Sequence, residues 1–579
     1  GEEGGRAVEY SQKDAAAIAE DVFDYVIGNG VDDECVDLSV GELLEKMEGM
    51  SSSQRAFLLF ALQYITAMSP DAWNLFAVSM QYSAESWKKE GEKCRGCLDL
   101  LNALLSITVD RKEVAMLEEL KNLKKQLLKD ERNGYDVLSA SELEKMEAYC
   151  TVYKAFLDAG KTERLSARAA IALAEKHGFV AYKRGMALSA GDKVYTCNRG
   201  KGLMLAVIGR RSLAEGAQIA AAHIDSPRLD LKPNPLYEDS ELAYFKTHYY
   251  GGVRKYQWVT IPLELRGTVV LTDGTVVDVC IGEGSEPKLV ITDLLPHLGG
   301  EQSKKPLGEA IPGETLNLLM GSRPMGDSDD TDRVKMQVLK RLYDKYGITE
   351  SDLMSAELET VPAADATDIG IDGSLIGAYG HDDRVCGYAA FKALLDIETP
   401  EKTAVCVLAD KEEIGSMGIT GMQSAAFDTF MQDLCESQNV ALRVCYENAF
   451  CLSADVTAAY DPNFGEVFEK KNAAYLNYGI GLCKYTGARG KSGASDASAE
   501  TVGYVRGIFD RAKVIWQIAE LGKVDAGGGG TVAMYMANRN ITTLDAGVPV
   551  LAMHAPFEVV SKLDCYETYK GMKAVYEAE

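Results

Sequence analysis

Beyond about residue 133, the sequence alternates short apolar runs rich in β-branched residues with helical stretches, and each run ends at a polar cluster. The runs cover residues 216–222, 402–409, 449–454 and 548–553. Buried strands that alternate with helices are typical of an α/β domain. We therefore expect an α/β fold with its ligand-binding groups at the carboxyl ends of the strands.

The 579 residues are too many for one hydrophobic core, so several domains are expected. Residues 1–132 contain no histidine and show leucines at three- and four-residue steps, which predicts an acidic, all-helical N-terminal module of unknown role. Residues 229–375 are rich in strand signals, including an Asp273-Gly274 hairpin turn. They predict a β-rich domain inserted into an α/β domain formed by residues 133–228 and 376–579.

Net charge, the length of the apolar runs and the positions of the cysteines argue against several classes of protein. A formal net charge of −26 disfavours binding to nucleic acid or to anionic membranes. No apolar run reaches the length of about 18 residues that a membrane span needs, and the start lacks a secretory-signal pattern. The 13 cysteines lie mostly inside apolar runs, where free thiols act as small core residues, so we expect a cytoplasmic protein.

Two of the six histidines, His223 and His554, directly follow apolar strands, as do acidic groups at 410–413 and at Asp455. A further acidic pair, Asp382-Asp383, follows an apolar turn region. Carboxylates together with imidazoles suit zinc, manganese or cobalt in a hydrolytic site, with one carboxylate bridging two metals. A structural alternative stays open on the residues alone, in which Asp382 caps a helix and the histidines are hydrogen-bonded core residues.

Six ordered motifs resemble the aspartyl aminopeptidase family, metallopeptidase family eighteen. The similarity extends from about Asn133 to the C-terminus, and the motifs are Ala222-His-Ile-Asp-Ser-Pro-Arg228, Tyr250-Gly-Gly252 with Trp258, Asp382-Asp-Arg384, Asp410-Lys-Glu-Glu-Ile-Gly-Ser416, Ser453-Ala-Asp455 and Ala552-Met-His554. The resemblance implies a co-catalytic aminopeptidase that holds two Zn²⁺ ions, with Co²⁺ or Mn²⁺ as substitutes. Its substrates would be peptides with a free N-terminus.

The resemblance also implies a role for each matching residue. One metal would be held by His223, Asp382 and Asp455, and the other by Asp382, Glu413 and His554, so that Asp382 is the bridge. Glu412 would be the general base that takes a proton from the attacking water. Asp225 would orient the His223 imidazole from the same face of the strand.

Assembly and specificity follow from the same resemblance. Members use the inserted domain in dimer contacts and form tetrahedral dodecamers, and His297 would reach the active site of a neighbouring subunit. Lys484 would face an acidic substrate side chain, and Gly528 lies in a glycine run that would cradle the substrate, which together imply a preference for N-terminal Asp or Glu.

Two alternatives remain at this stage. The chain lacks two histidines that many members carry near Asp455, which leaves open a broad or neutral substrate specificity. The extra N-terminal module leaves open a non-catalytic scaffold or cargo protein that retains the peptidase fold.

Overall fold

The structure is a computed structural model that describes residues 120–129 and 131–579. The chain divides into two units between Asp130 and Glu131. Residues 120–127 are helical, and the other helices and strands of the described ranges lie in the second unit, Glu131–Glu579. The predicted helical module over residues 1–132 therefore lies, apart from its last residues, outside the described part of the chain. In the described ranges, no helix is long and apolar enough to cross a bilayer.

Helices and strands alternate through most of the second unit. Within residues 131–579 the helices are α1 (Ala140–Ala159), α2 (Glu163–Lys176), α3 (Leu307–Ala310), α4 (Arg333–Tyr346), α5 (His381–Leu395), α6 (Ala426–Ser437), α7 (Leu442–Asn448), α8 (Ala499–Ala512), α9 (Val532–Ala537) and α10 (Lys562–Tyr576). The strands of the same range are β1 (Val180–Ala181), β2 (Lys193–Asn198), β3 (Gly202–Val207), β4 (Ala217–His223), β5 (Arg228–Asp239), β6 (Leu242–Tyr250), β7 (Leu263–Val270), β8 (Val276–Ile281), β9 (Leu318–Gly321), β10 (Ala356–Pro362), β11 (Thr367–Ile369), β12 (Leu375–Ala378), β13 (Thr403–Ala409), β14 (Phe450–Ser453), β15 (Thr457–Ala458), β16 (Ile480–Cys483), β17 (Trp516–Ile518), β18 (Thr542–Gly547), β19 (Pro549–Leu551) and β20 (Glu558–Ser561).

The largest sheet has nine strands in the order β1-β2-β3-β13-β4-β14-β18-β16-β17. At its centre β13, β4, β14 and β18 are parallel, with Ala409 beside His223 and Ser453 beside Ala221. The carboxyl ends of these strands therefore meet at one edge of the sheet. This edge carries the residues that follow β4, β13 and β14.

Both faces of the nine-stranded sheet are covered by helices. On β4, Ala220 and Ala222 face a core that includes residues of α1, α5, α8 and α10, whereas Ile219 and Ala221 face a core that includes residues of α6, α7 and α9. This alternation follows from the two-residue period of a strand. Because both faces are buried, the central strands are mainly apolar, as the sequence pattern predicts for a sheet of this kind.

Two smaller sheets complete the unit. Strands β8-β7-β10-β5-β6-β9 form a six-stranded sheet from residues 228–362, against which α4 packs Val334, Val338 and Leu342. Strands β11-β12-β20-β19-β15 form a five-stranded sheet that joins segments from residues 367–378, 457–458 and 549–561. The domain boundaries expected at 228, 229, 375 and 376 stay predictions.

The predicted α/β class is confirmed, and the strand predictions at 216–222, 402–409, 449–454 and 548–553 correspond to β4, β13, β14 and β19. The sequence pattern of residues 149–176 predicts a helical stretch, and the structure divides it into two helices, because the chain turns at Gly160 and the Thr162 side chain caps α2 by accepting from Leu165 N. The pattern of residues 496–518 also predicts a helical stretch, but the helix ends at Ala512, since Lys513 is left-handed with a φ of 55°, and residues 516–518 form β17.

Candidate metal centre

Three sets of candidate ligands come from the carboxyl edge of the nine-stranded sheet. His223 is the last residue of β4, the Glu412-Glu413 pair lies in a short 3-10 turn just after β13, and Asp455 lies two residues after β14. The parallel register of β13, β4 and β14 brings these loops side by side. This arrangement is the one expected for ligand-binding groups of an α/β sheet.

The other two candidate ligands come from the five-stranded sheet. Asp382 lies four residues after β12, in the first turn of α5, and His554 lies in the loop between β19 and β20 with a φ of 66°. The apolar run before His554 suggested a strand of the main sheet. In the structure this run is β19, which belongs to the five-stranded sheet. In the structural alternative Asp382 caps α5, but Asp382 has a non-helical ψ of 106° and its two carboxylate oxygens face His223 and His554.

Asp382 lies between the two histidines. Its Oδ1 is 3.3 Å from His223 Nε2, and its Oδ2 is 3.0 Å from His554 Nε2. Asp455 Oδ1 lies 3.8 Å from His223 Nε2, and Glu413 Oε1 lies 3.5 Å from His554 Nε2. Two triads share Asp382, one with His223 and Asp455 and one with Glu413 and His554, and within each triad the ligand atoms lie within 4.8 Å of one another. The ligand atoms of His223, Glu412 and Glu413 lie equally close together.

The Glu412-Glu413 pair lies next to both histidines. Glu412 Oε2 is 3.8 Å from His223 Nε2, and Glu413 Oε1 is 3.5 Å from His554 Nε2. Asp225 holds both residues by their backbone, with Oδ1 accepting from Glu412 N and Oδ2 from Glu413 N, each at 3.1 Å. One buried carboxylate thus fixes the orientation of the whole turn.

Asp225 also contacts His223, although not from the same strand face. Strand β4 ends at His223, and the Nδ1 atom of that ring lies 3.0 Å from the Asp225 carbonyl oxygen and 3.3 Å from its Oδ1. These acceptors favour a proton on Nδ1 and leave the Nε2 lone pair directed at Asp382 and Asp455.

The charges of the centre shift its pKa values in opposite directions. Burial disfavours the ionised Asp382 carboxylate, but its interactions with the adjacent His223 and His554 rings outweigh burial and lower the pKa of Asp382. Burial also opposes the charged form of His554, yet Asp382 and Glu413 raise its pKa to about 10. For Glu412, burial together with the charge of Asp455 raises the pKa to about 8, against the effect of His223.

The residues present fit a pair of zinc ions. Asp382 Oδ1 and Glu413 Oε1 are buried oxygens that accept no hydrogen bond within the described part of the chain. Buried acceptors of this kind are costly unless a donor or a cation satisfies them. Imidazole nitrogens and carboxylate oxygens without thiolates are the donor set of catalytic zinc sites.

The predicted substrate residues lie around a different loop. Lys484 follows β16, and its Nζ pairs with Asp496 Oδ1 at 3.1 Å, as does the Nζ of Lys491. Gly528 has a φ of 136°, and a Cβ atom there would lie 2.1 Å from Gly487 O, so the glycine run packs directly against this loop. The structure thus places Lys484 in an ion pair within the chain.

His297 lies in an exposed turn after β8, in the segment that carries the six-stranded sheet. The leucines around it, Leu294, Leu295 and Leu298, are 53%, 49% and 69% exposed. Apolar side chains clustered at such exposure are typical of contact surfaces.

Sequence reasoning did not identify Glu558, and it gave no role to Asp383 or Tyr250, although all three contact the centre. Glu558, at the start of β20, accepts from Asp382 N at 3.1 Å and from His554 N at 2.7 Å. Asp383 accepts from His223 N at 3.2 Å, and the Tyr250 hydroxyl donates to Asp225 at 2.8 Å. The sequence did contain a signal for Glu558. It is an acidic residue four positions after the candidate ligand His554, at the start of a mainly apolar strand, and a buried acid there needs a hydrogen-bond partner.

Comparison with known proteins identifies the family. The family described as aminopeptidase I zinc metalloprotease (M18) matches residues 156–576. The probable M18 family aminopeptidase 1 of Clostridium acetobutylicum is 48% identical over 457 residues, which cover 77% of this chain and 98% of that protein. The six motifs of the sequence analysis therefore mark a true family relationship.

Solved structures share the same architecture. The M18 aminopeptidase of Thermotoga maritima has a TM-score of 0.75 and 41% identity, covering 78% of this chain and all of that one. The mApe1 dodecamer of Saccharomyces cerevisiae, 21% identical with a TM-score of 0.60, covers 75% of this chain and 99% of its own and shares the fold. The prediction of an enzyme is confirmed, and the chain belongs to the M18 family of zinc metalloproteases as an aminopeptidase.

Proposed function

We propose that the chain binds two zinc ions, one at each triad, and removes N-terminal residues from peptides. The observation that carries this proposal is the position of Asp382, whose two oxygens face different histidines. His223 and Asp455 would complete one site, and Glu413 and His554 the other. Zinc bound there would supply Lewis acidity toward the scissile carbonyl and lower the pKa of a coordinated water.

We further propose Glu412 as the general base. It lies beside His223 and outside the triad of His554, and the two hydrogen bonds to Asp225 hold its turn in place. Its carboxylate would take the proton of the attacking water and pass it to the leaving amine. Cations in the two triads would lower the pKa of Glu412 from about 8 and keep it ionised near neutral pH.

The decisive experiment compares the zinc-loaded protein with Glu412→Gln on an aminoacyl-p-nitroanilide. We expect the variant to bind zinc as the wild type does and to lose about 100- to 10,000-fold in kcat, the range for removal of a general base. An N-acetylated substrate serves as the control and should not be cleaved. Full activity in Glu412→Gln would refute the base assignment, and no zinc binding by the wild type would refute the metal sites.

For the substrate we propose N-terminal Asp and Glu, with Lys484 as the cation that pairs with the substrate carboxylate. The observed pair of Lys484 with Asp496 favours the second candidate, a broad or neutral specificity, because the substrate would have to displace Asp496. Lys484→Leu separates the two. A selective loss of Asp and Glu turnover supports the acidic pocket, and equal effects on Asp and Leu substrates support the broad enzyme.

We propose that the chain assembles into a homo-oligomer of dimers, up to a dodecamer. The exposed leucines around His297 support a subunit contact at this turn, and the yeast mApe1 relative is a dodecamer. Light scattering on the wild type and on Leu298→Asp tests this. The variant should be smaller, and an unchanged mass of both proteins at one subunit would refute the assembly.

A cytoplasmic location is part of the same proposal. Of the ten cysteines in the described ranges, eight are buried as free thiols, where they act as small core residues. Fractionation of cells with an antibody to the protein tests it, and recovery mainly outside the cytoplasm would contradict it.

A further inference from the structure

The residues that follow strand β6 pass from the six-stranded sheet into the metal centre. Residues 250–252 are part of the sequence motifs of the family, but neither the ligand set nor the general base uses them. Their contacts reach both halves of the centre.

The first contact runs through Tyr250. Its hydroxyl donates to Asp225 Oδ2 at 2.8 Å, the same oxygen that accepts from Glu413 N, while Asp225 Oδ1 accepts from Glu412 N. The Tyr250 ring is buried and is itself held by the Arg228 guanidinium, 3.8 Å from the ring centroid. Tyr250 therefore fixes the rotamer of the carboxylate that orients the glutamate turn.

The second contact runs through Gly252. Its carbonyl oxygen lies 3.1 Å from His554 Nδ1, which favours a proton on Nδ1 and leaves Nε2 directed at Asp382 and Glu413. There is no room for a side chain, because a Cβ atom at Gly252 would lie 2.9 Å from His554 Nδ1. At Gly251, which has a φ of 74°, a Cβ atom would lie 3.2 Å from Glu413 Cβ.

We propose that residues 250–252 form a positioning segment through which the six-stranded sheet sets the geometry of both metal sites. Tyr250 acts through Asp225 on the Glu412-Glu413 turn, and Gly252 acts directly on the ring of His554. This inference rests on the proposed function, since it takes the two triads to be zinc sites. The sheet then contributes to metal affinity in addition to any role in assembly.

The test measures zinc affinity in the full chain. Wild type, Tyr250→Phe and Gly252→Ala are stripped of metal and titrated with zinc against a chromogenic chelator. We expect each variant to bind at least one equivalent about 10- to 100-fold more weakly, the usual effect of losing a group that orients a metal ligand. Tyr249→Phe and Gly321→Ala are matched controls, because Tyr249 is exposed on the same strand and a Cβ atom at Gly321 would make only an ordinary contact at 3.6 Å.

A general loss of structure is distinguished by the thermal unfolding of the zinc-free proteins. Tyr250→Phe keeps the ring and its stacking on Arg228 and loses one buried hydrogen bond, so its unfolding midpoint should fall by only a few degrees with the fold retained. In the zinc-saturated state we expect a lower kcat with little change in KM. If Gly252→Ala does not fold, Tyr250→Phe alone decides the result.

Each outcome has one interpretation. If wild type does not bind two equivalents of zinc, the proposed function fails. If wild type binds them and both folded variants match it within about twofold, the positioning proposal is overturned and the dizinc assignment stands. Weaker binding in the variants together with unchanged controls supports the proposal.

Discussion

Replacing Glu558 with glutamine is expected to weaken zinc binding without unfolding the protein. Both oxygens of the Glu558 carboxylate accept a backbone N–H, from Asp382 at 3.1 Å and from His554 at 2.7 Å. Glutamine has one acceptor oxygen, so one N–H would face a side-chain NH₂ donor instead. Loss of a buried hydrogen bond to a charged group costs about 1.5–3 kcal/mol. Since about 1.4 kcal/mol is a factor of ten, the zinc affinity of the Asp382–Glu413–His554 triad should fall roughly 10- to 100-fold.

Glu567→Gln is the matched control for this variant. Glu567 is also buried and also accepts one backbone N–H, from Ile515 at 2.8 Å, but it lies on α10 and its side chain pairs with Lys570. Competition with a chelator measures the zinc affinity of both variants, and thermal unfolding of the zinc-free proteins measures their stability. If Glu558→Gln binds zinc as tightly as Glu567→Gln, the two hydrogen bonds do not position the ligands and the reasoning is refuted.

Three further outcomes are expected. Arg228→Met should lower the free energy of unfolding by about 3–5 kcal/mol, because the buried Glu163 and Glu359 would lose the guanidinium and Glu163 would keep only the more distant Lys201, at 4.0 Å; a loss below about 1 kcal/mol in chemical denaturation would contradict this. Hydrogen bonds from two threonines and their amides lower the pKa of Asp352 from 3.8 to about 2. The difference in unfolding free energy between wild type and Asp352→Ala should therefore be constant above pH 3.8 and shrink as the pH falls through about 2; a difference that grows toward low pH would contradict the sign. Removal of zinc by a chelator should lower the unfolding midpoint, since free zinc at 100 times its Kd stabilises a native site by about 2.7 kcal/mol; an unchanged midpoint in calorimetry would count against a zinc site.

The half of the centre that the main sheet supplies could be predicted from the sequence. His223 and Asp455 follow continuous apolar runs, and such runs become central parallel strands whose carboxyl ends coincide. The register of β13, β4 and β14 then brings the Glu412-Glu413 turn next to them. The local sequence pattern and the geometry of a parallel sheet are therefore sufficient to predict that these residues lie close together.

The other half could not be predicted in the same way. Asp382 and His554 are carried by β12 and β19, which lie in a separate five-stranded sheet assembled from segments nearly 200 residues apart. Tyr250 comes from a third sheet. Short apolar runs show that strands exist but do not show which sheet they join, because pairing between distant segments depends on packing that has no local pattern. The apolar runs indicated Asp382 and His554 as candidate ligands, but only the family resemblance implied that they share one metal site.

The two carboxylates that hold the backbone of the centre explain why its ligands are so close together. Asp225 fixes Glu412 and Glu413, and Glu558 fixes Asp382 and His554, each by two N–H groups. When ionised, these two carboxylates add negative charge to a buried site that already holds the ligand carboxylates, and burial together with the charge of Asp382 raises the pKa of Glu558 to about 8. Such repulsion is unfavourable in a low-dielectric interior unless cations offset it. The stability of the fold is therefore linked to metal binding. The Asp225 and Glu558 carboxylates keep the ligands in position for zinc, and zinc would compensate for their negative charge. Glu558→Gln should then lower the free energy of unfolding of the zinc-free protein by less than that of the zinc-loaded protein, a difference that loss of packing alone would not produce.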